Sequence, residues 1–166
     1  MVFEQIIEFL PSSDAKRIFH GRGGLVSGFE QVNIEVYPPV LWVMVYQEID
    51  EEPLLTLLGK VKENHSQLGV ENIYIQRRHL KQDPVEVFMG TDEYLDREFS
   101  TSESGLSYWV NLGKNQNTGL FLDMVHGRQW VRGNSQNKKV LNLFSYTCSL
   151  GLAAAAGEAD TVVNID

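Results

Sequence analysis

The chain has 166 residues, of which 43% are hydrophobic and 22% charged, and its formal net charge at pH 7 is −8. This length suits one domain, or one and a half, and the hydrophobic fraction is ordinary for a globular protein. The acidic balance argues against a protein that binds nucleic acid by bulk charge, although it leaves room for a small basic cleft that closes on RNA.

The cysteine content and the first residues predict the compartment. Cys148 is the single cysteine, which excludes an internal disulfide and fits a reducing cytosol. The start of the sequence lacks the basic segment of a signal peptide. The longest strongly apolar run, residues 40–46, is too short to span a bilayer. We therefore expect a cytoplasmic protein with no membrane partner.

The N-terminal segment predicts two short helices. Residues 1–9 carry apolar side chains at roughly helical spacing, and Pro11 then interrupts the pattern. Residues 12–14 are Ser-Ser-Asp, which are good helix caps, so a second helix is predicted to run through Phe19. The glycine-rich residues 20–24 predict a loop.

Two strands and a helix are predicted next. Residues 32–36 alternate with period two and indicate a half-buried strand that ends at the prolines of positions 38–39. Residues 40–47 predict a second, mostly apolar strand. Asp50 and Pro53 indicate the start of a helix. The inner stripe of this helix is Leu54, Leu57, Leu58 and Val61.

Four further strands complete the first predicted domain. Residues 73–75 and 85–88 read as strands, and residues 98–101 and 106–112 predict a hairpin. Strands that alternate with one helix and short turns are typical of an α+β domain, which we place at residues 1–112 as an accessory domain.

A second unit, residues 113–166, has a different pattern. Residues 121–131 predict a helix with Leu120, Met124 and Val131 facing inward. Residues 139–157 then read as strand, tight loop and Ala-rich helix, and residues 161–166 as a second strand that ends on an acidic residue. This is the opening βαβ unit of a Rossmann-like α/β domain. A doubly wound sheet needs more strands, so we expect an incomplete domain in an N-terminal fragment of a larger enzyme.

The βαβ unit has the chemistry of a cofactor site. Ser145, Thr147 and Ser149 place hydroxyls near a helix N-terminus, whose partial positive charge attracts a carboxylate. Asp166, about twenty residues further on, could accept both hydroxyls of a ribose. A dinucleotide dehydrogenase would carry G-x-G-x-x-G in this loop, but Gly151 is its only glycine, so a pyrophosphate site is disfavoured.

Several segments resemble one known family. Residues 117–123, Arg128, residues 140–147, residues 153–157 and residues 162–166 are similar to the class I S-adenosylmethionine-dependent methyltransferases related to bacterial 23S rRNA large-subunit methyltransferases. The resemblance is specific over about residues 113–166 and softer upstream.

The resemblance implies S-adenosylmethionine as cofactor and methylation of an RNA base, in ribosomal RNA, as the activity. It implies that catalytic residues lie beyond Asp166, so the chain itself is expected to be inactive and to bind the cofactor weakly or not at all. The expected cofactor-binding residues are Thr118, Phe121, Asp123, Asn142, Phe144, Ser145, Tyr146, Thr147, Ser149 and Asp166.

Other polar residues have two interpretations. Arg22, Arg77 and Arg78 could contact RNA phosphates or could lie in a flexible turn and a solvated connector. Arg128 fits a structural ion pair as well as a ligand contact. Cys148 at a helix start is interpreted as a packing residue rather than a nucleophile. The histidines show no ligand spacing, so no metal site is predicted.

One alternative function and one assembly state remain open. The chain could be a non-catalytic module for RNA or protein binding, derived from such an enzyme. An apolar strand edge at residues 140–143 could also support homo-oligomerisation.

Overall fold

A computed structural model describes residues 2–82, 84–113 and 117–166. The elements in chain order are α1 (Val2–Phe9), β1 (Lys16–His20), β2 (Val32–Tyr37), β3 (Val40–Val45), α2 (Glu51–Glu63), α3 (His65–Leu68), β4 (Asn72–Arg77), β5 (Val85–Met89), β6 (Glu98–Glu103), β7 (Leu106–Asn111), α4 (Val125–Asn134), β8 (Lys139–Leu143), α5 (Ser149–Ala156) and β9 (Thr161–Ile165). Short 3₁₀ turns lie at Gly21–Gly23 and Leu122–Met124.

The first half is built on a five-stranded sheet with the order β1-β2-β3-β4-β5. Neighbouring strands are antiparallel, except for β3 and β4, which are parallel and joined through α2. Asp50 caps α2 by accepting the backbone N–H of Glu52 at 3.2 Å, so the predicted helix start is confirmed.

Both faces of this sheet are covered. Alternate residues of β3 such as Leu41 and Val43 pack in a core that includes residues of α1 and α2. Trp42 and Met44 point into a second core, which includes Tyr108 and residues of the β6–β7 hairpin. The expectation of a half-buried β2 was therefore wrong: the strand is buried along its whole length, because the second core and a network of polar side chains cover the face that was predicted to be solvated.

The predicted second helix through Phe19 was also wrong. Lys16–His20 is a strand that pairs antiparallel with β2 at the edge of the sheet. The Asp14 carboxylate accepts hydrogen bonds from the Ser102 hydroxyl at 2.7 Å and the Ser104 N–H at 2.9 Å. The residue that resembled a helix cap thus fastens the chain to the hairpin, and sheet pairing decides the local structure.

The helix predicted at 121–131 begins and ends later in the chain than predicted, and it buries a different face. One 3₁₀ turn at Leu122–Met124 precedes α4, which continues to Asn134. Leu120 is buried as expected, but Met124 is 44% exposed. Arg128 is 2% exposed instead, because its guanidinium forms a buried ion pair with Glu103 on β6.

The predicted βαβ unit is confirmed. Strands β8 and β9 are parallel and paired in register from Lys139–Thr161 to Leu143–Ile165, with α5 between them in sequence. Helix α5 lies close to β9 at Gly151, where an added Cβ would stand 2.1 Å from the Asn164 amide oxygen. The other face of the strand pair carries exposed apolar side chains. These are Leu141, Leu143, Val163 and Ile165.

The division into an accessory domain and a second unit at residue 112 stays a prediction. Within the described ranges, no helix has the length and apolar character needed to cross a membrane.

Candidate cofactor site

The loop between β8 and α5 is held against the end of β9. The Ser145 N–H donates to the carbonyl of Ile165 at 3.1 Å, and the Tyr146 N–H donates to the Asp166 carboxylate at 2.9 Å. The carboxylate that follows the second strand therefore lies directly beside the loop that follows the first, as the sequence spacing predicted.

The same loop has an unusual backbone. Phe144, Tyr146 and Cys148 have φ values of 55°, 47° and 61°, in the left-handed region that non-glycine residues rarely adopt. Such conformations cost free energy and occur frequently at ligand-binding sites. The Phe144 side chain is 90% exposed, so burial of this side chain does not explain the conformation.

A shallow depression of about 90 Å³ lies between this loop and the segment before α4. The ring centroids of Phe121 and Tyr146 stand 5.6 Å apart on its wall. The predicted site residues that line it are Phe121, Asn142, Phe144, Ser145, Tyr146 and Ser149. Met124, Arg128 and Leu150 also line it, and sequence reasoning did not include them among the cofactor residues.

A hydrogen bond joins the loop to the segment that leads to Phe121, through two residues that do not themselves line the depression. The Thr147 hydroxyl donates to the carbonyl of Gly119 at 2.6 Å. Gly119 has a φ of 99°, and a Cβ there would stand 3.2 Å from the carbonyl oxygen of Trp109, so a side chain would be strained at this position. Thr147 therefore serves to position the loop.

Thr118 and Asp123 do not line this depression. They line a separate cavity of about 190 Å³ between the first sheet and residues 117–123, here called the interface cavity. Its other lining residues are Arg17, Glu35, Met44, Tyr46, Arg78, Asn117, Leu120, Phe121 and Leu122. Phe121 is thus the wall that the depression and the interface cavity share.

A buried polar network shapes the interface cavity. The Tyr37 hydroxyl lies 2.9 Å from a carboxylate oxygen of Glu35 and 2.8 Å from the Thr118 hydroxyl. Arg17 donates to Glu35 at 2.9 Å and lies 4.0 Å from the Asp123 carboxylate. Burial opposes the charge of Arg17, but the two carboxylates outweigh it and raise the pKa of Arg17. Burial, reinforced by Glu35, raises the pKa of Tyr37, so its hydroxyl stays protonated.

The three predicted RNA contacts follow or end strands of the first sheet, and none of them lines the depression. Arg77 forms ion pairs with Glu51 and Glu86, and its hydrogen bond to Glu51 raises its pKa. Arg22 and Arg78 both stand over the Tyr46 ring, at 4.6 and 5.4 Å from its centroid. Only Arg78 of the three lines the interface cavity.

Arg128 shows which of its two interpretations the structure supports. Its Nε and Nη2 donate to the two Glu103 oxygens at 2.6 and 2.7 Å, and both side chains are buried. This two-point contact ties α4 to β6. Its pairing could not be read from local spacing, because Glu103 lies 25 residues earlier in the chain.

The described ranges contain no group of three or more His, Cys, Asp or Glu side chains that could hold a metal ion.

Comparison with known proteins places this geometry in one family. The S-adenosylmethionine-dependent methyltransferase family matches residues 16–166. A ribosomal RNA large subunit methyltransferase K/L from Hahella chejuensis is 33% identical over 123 residues, which is 72% of this chain and 17% of the relative. A methyltransferase K of the same type from Neisseria meningitidis serogroup B is 38% identical over 96 residues, 58% of this chain and 27% of the relative. The chain therefore spans well under half the length of these relatives.

Solved structures agree on the fold. A candidate S-adenosylmethionine-dependent methyltransferase from Streptococcus mutans superimposes with a TM-score of 0.77 at 26% identity, covering 99% of this chain and 42% of that one. A candidate methyltransferase solved with S-adenosylhomocysteine gives a TM-score of 0.75 at 24% identity, covering 99% and 43%.

Proposed function

The chain belongs to the S-adenosylmethionine-dependent methyltransferase family, and from this premise we propose that its β8–α5–β9 unit supplies one wall of the cofactor site of an RNA methyltransferase. The observation that carries the proposal is the contact of the Asp166 carboxylate with the Tyr146 N–H at the ends of two parallel strands. Ligands of open α/β sheets bind at these carboxyl ends.

The residues at the depression fit the chemistry of this cofactor. Asn142, Ser145 and Ser149 offer an amide and two hydroxyls, and Phe121 and Tyr146 offer aromatic rings. The loop has no glycine-rich cradle for a pyrophosphate, and S-adenosylmethionine has no phosphate. Asp166 is exposed and engages the loop through one oxygen, Oδ1, so its carboxylate can accept hydroxyl donors of a sugar.

Each group has a role in binding or positioning. Asp166 holds the ribose of the cofactor. The N-terminus of α5 faces the carboxylate of the cofactor. Thr147 keeps the loop against Gly119, two residues before Phe121. When bound, the cofactor supplies a methyl group on a sulfonium, and methyl transfer then depends mainly on orienting the acceptor.

The acceptor is proposed to be a base of RNA, in ribosomal RNA, since the named relatives are ribosomal RNA methyltransferases. The residues that bind this acceptor and catalyse transfer are proposed to lie outside the chain. Two observations support this: the depression, at about 90 Å³, is far below the roughly 300 Å³ of a small-ligand pocket, and the chain spans only part of each relative. The chain alone should therefore bind the cofactor weakly and methylate nothing.

Titration of the ¹⁵N-labelled chain with S-adenosylhomocysteine, followed by amide NMR, tests both the location of the cofactor site and its incompleteness. Weak, fast-exchange binding should shift the amides of residues 144–149 and lose affinity in Asp166→Ala. Asp160→Ala is the matched control, because Asp160 is an exposed carboxylate before β9, at the opposite end of that strand. Shifts confined to other regions would contradict the site, and micromolar affinity would contradict its incompleteness.

The dehydrogenase alternative can be separated in the same samples. A nicotinamide dinucleotide should leave the melting temperature unchanged at concentrations where S-adenosylhomocysteine raises it, since only a ligand of the native state stabilises it. A rise in melting temperature with the dinucleotide but not with S-adenosylhomocysteine would reject the methyltransferase proposal for this loop.

A further inference from the structure

We propose that the interface cavity receives one unstacked nucleobase of the substrate RNA, next to the base that is methylated. This rests on the proposed function, because it assumes an RNA substrate. It adds a specific subsite in the first half of the chain, at Arg17, Glu35, Tyr46, Arg78, Thr118 and Asp123.

The charge of the cavity favours a base over a phosphate. Arg17 and Arg78 bring two positive charges, and Glu35 and Asp123 bring two negative ones. Arg17 is moreover held by Glu35 at 2.8 Å, so its charge is largely matched. A balanced cavity gives a phosphate no net attraction, whereas the edge of a base presents both donors and acceptors and can use both kinds of group.

The walls of the cavity suit a flat ring. The Arg78 guanidinium lies over the Tyr46 ring at 5.4 Å from its centroid, and both side chains line the cavity. Unstacked RNA bases pack on aromatic rings and on Arg guanidinium planes. The Nε of Arg78 donates to Gln76 at 2.9 Å, which orients this plane at the cavity wall.

The size and position of the cavity set what it can hold. Its volume of about 190 Å³ is below that of pockets for a complete small ligand, so it suits a single ring system from a longer chain. Phe121 separates it from the depression beside residues 144–149. A base in the cavity would therefore lie one side chain away from the proposed cofactor, where a neighbour of the reacting nucleotide is needed.

The test compares a short fluorescent single-stranded RNA with an abasic strand of the same length, measured by anisotropy. Wild type should bind the RNA at least about five-fold more tightly, the lower end for one stacked base. Arg78→Lys keeps the charge but loses the planar group, so this ratio should fall to near one while the salt dependence stays the same.

Arg22→Lys is the matched control, because Arg22 stands over the same Tyr46 ring but does not line the cavity. It should keep the preference for RNA over the abasic strand. An unchanged ratio in Arg78→Lys, or an equal loss in both variants, would overturn the proposal. Melting by circular dichroism confirms that each variant is folded.

Photo-crosslinking with 4-thiouridine RNA gives a second, independent measurement. Crosslinks mapped to Tyr46 or Phe121 support the subsite, and crosslinks confined to other surfaces reject it. If wild type binds RNA and the abasic strand equally, the subsite fails while the RNA proposal stands. If it binds neither, the subsite and the RNA proposal both fail for this chain.

Discussion

The five-stranded sheet and the β8–β9 pair differ in how their apolar surfaces are covered. Strands β2 and β3 are buried along their whole length, between α1 and α2 on one side and the hairpin on the other. In the β8–β9 pair, α5 lies against one side at Gly151, and Leu141 and Ile165 on the other are 59% and 51% exposed.

This contrast separates stability from ligand chemistry. The first sheet supplies most of the buried apolar surface, which dominates the free energy of folding. The second pair carries the left-handed loop and the exposed Asp166, groups that a ligand can reach. Substitutions of buried apolar residues in the first sheet should therefore lower stability, and substitutions in the exposed loop or at Asp166 should act mainly on ligand binding.

The largest effect is expected for Trp42→Ala. Trp42 is fully buried on β3 and packs edge-on against Tyr74 at 6.2 Å between ring centroids. Its removal should lower the free energy of unfolding by about 3–5 kcal/mol in urea titrations. Trp109→Ala is the control, since Trp109 is 69% exposed and should cost within about 0.5 kcal/mol. Equal losses would mean that the first sheet is not the stable region.

A comparable loss is expected at the contact between the β6–β7 hairpin and α4. Glu103→Ala leaves the Arg128 charge buried without its partner, which should cost about 3 kcal/mol. Replacing both residues, in Glu103→Leu with Arg128→Met, should recover most of this stability, because an apolar pair avoids burying charge. A double variant less stable than Glu103→Ala would contradict this account.

A smaller effect, with a change of sign, is expected at Gly151. Gly151→Ala should destabilise by about 1 kcal/mol, because the new Cβ meets the Asn164 amide at 2.1 Å. In an Asn164→Ala background the same change should stabilise, since Ala is the better helix former. Gly133→Ala, in α4 with open space around it, should stabilise in either background. Denaturation of the four combinations measures this coupling, and an additive result would show that Asn164 moves aside freely.

The smallest effect is expected for the contribution of Asp14 to stability at low pH. Hydrogen bonds from Ser102 and Ser104 lower the pKa of Asp14 in the folded state. A carboxyl group whose pKa is lowered in the folded state stabilises the protein at pH values above the ordinary carboxyl range. This stabilisation is lost as the pH falls through the folded-state pKa. The stability difference between wild type and Asp14→Asn should therefore shrink below about pH 4. A stability difference that stays constant down to pH 2 would show that the Asp14 carboxylate does not stabilise the folded state through these hydrogen bonds.

Elements specified by nearby residues could be predicted from the sequence, and those specified by distant ones could not. The helix capped by Asp50 and the strands of the βαβ unit have local signals and are confirmed. The Ser-Ser-Asp signal before β1 misled, because Asp14 finds its partner Ser102 at a separation of 88 residues. Edge pairing with β2 then outweighs local helix preference.

The site divides in the same way. The contact between Asp166 and the loop followed from the spacing of a βαβ unit, so it could be foreseen. Thr118 and Asp123 could not be separated from the other predicted residues by sequence alone. Their location depends on Tyr37, which lies 81 residues before Thr118, and on Arg17.

The order of strands in the first sheet has a consequence for synthesis. Strands β1 to β5 are neighbours in space in the order in which they occur in the chain, so each new strand can pair with the one that left the ribosome just before it. Contacts of low sequence separation form quickly. The sheet can thus be assembled during translation, and its second face waits for the β6–β7 hairpin to emerge and close over Trp42.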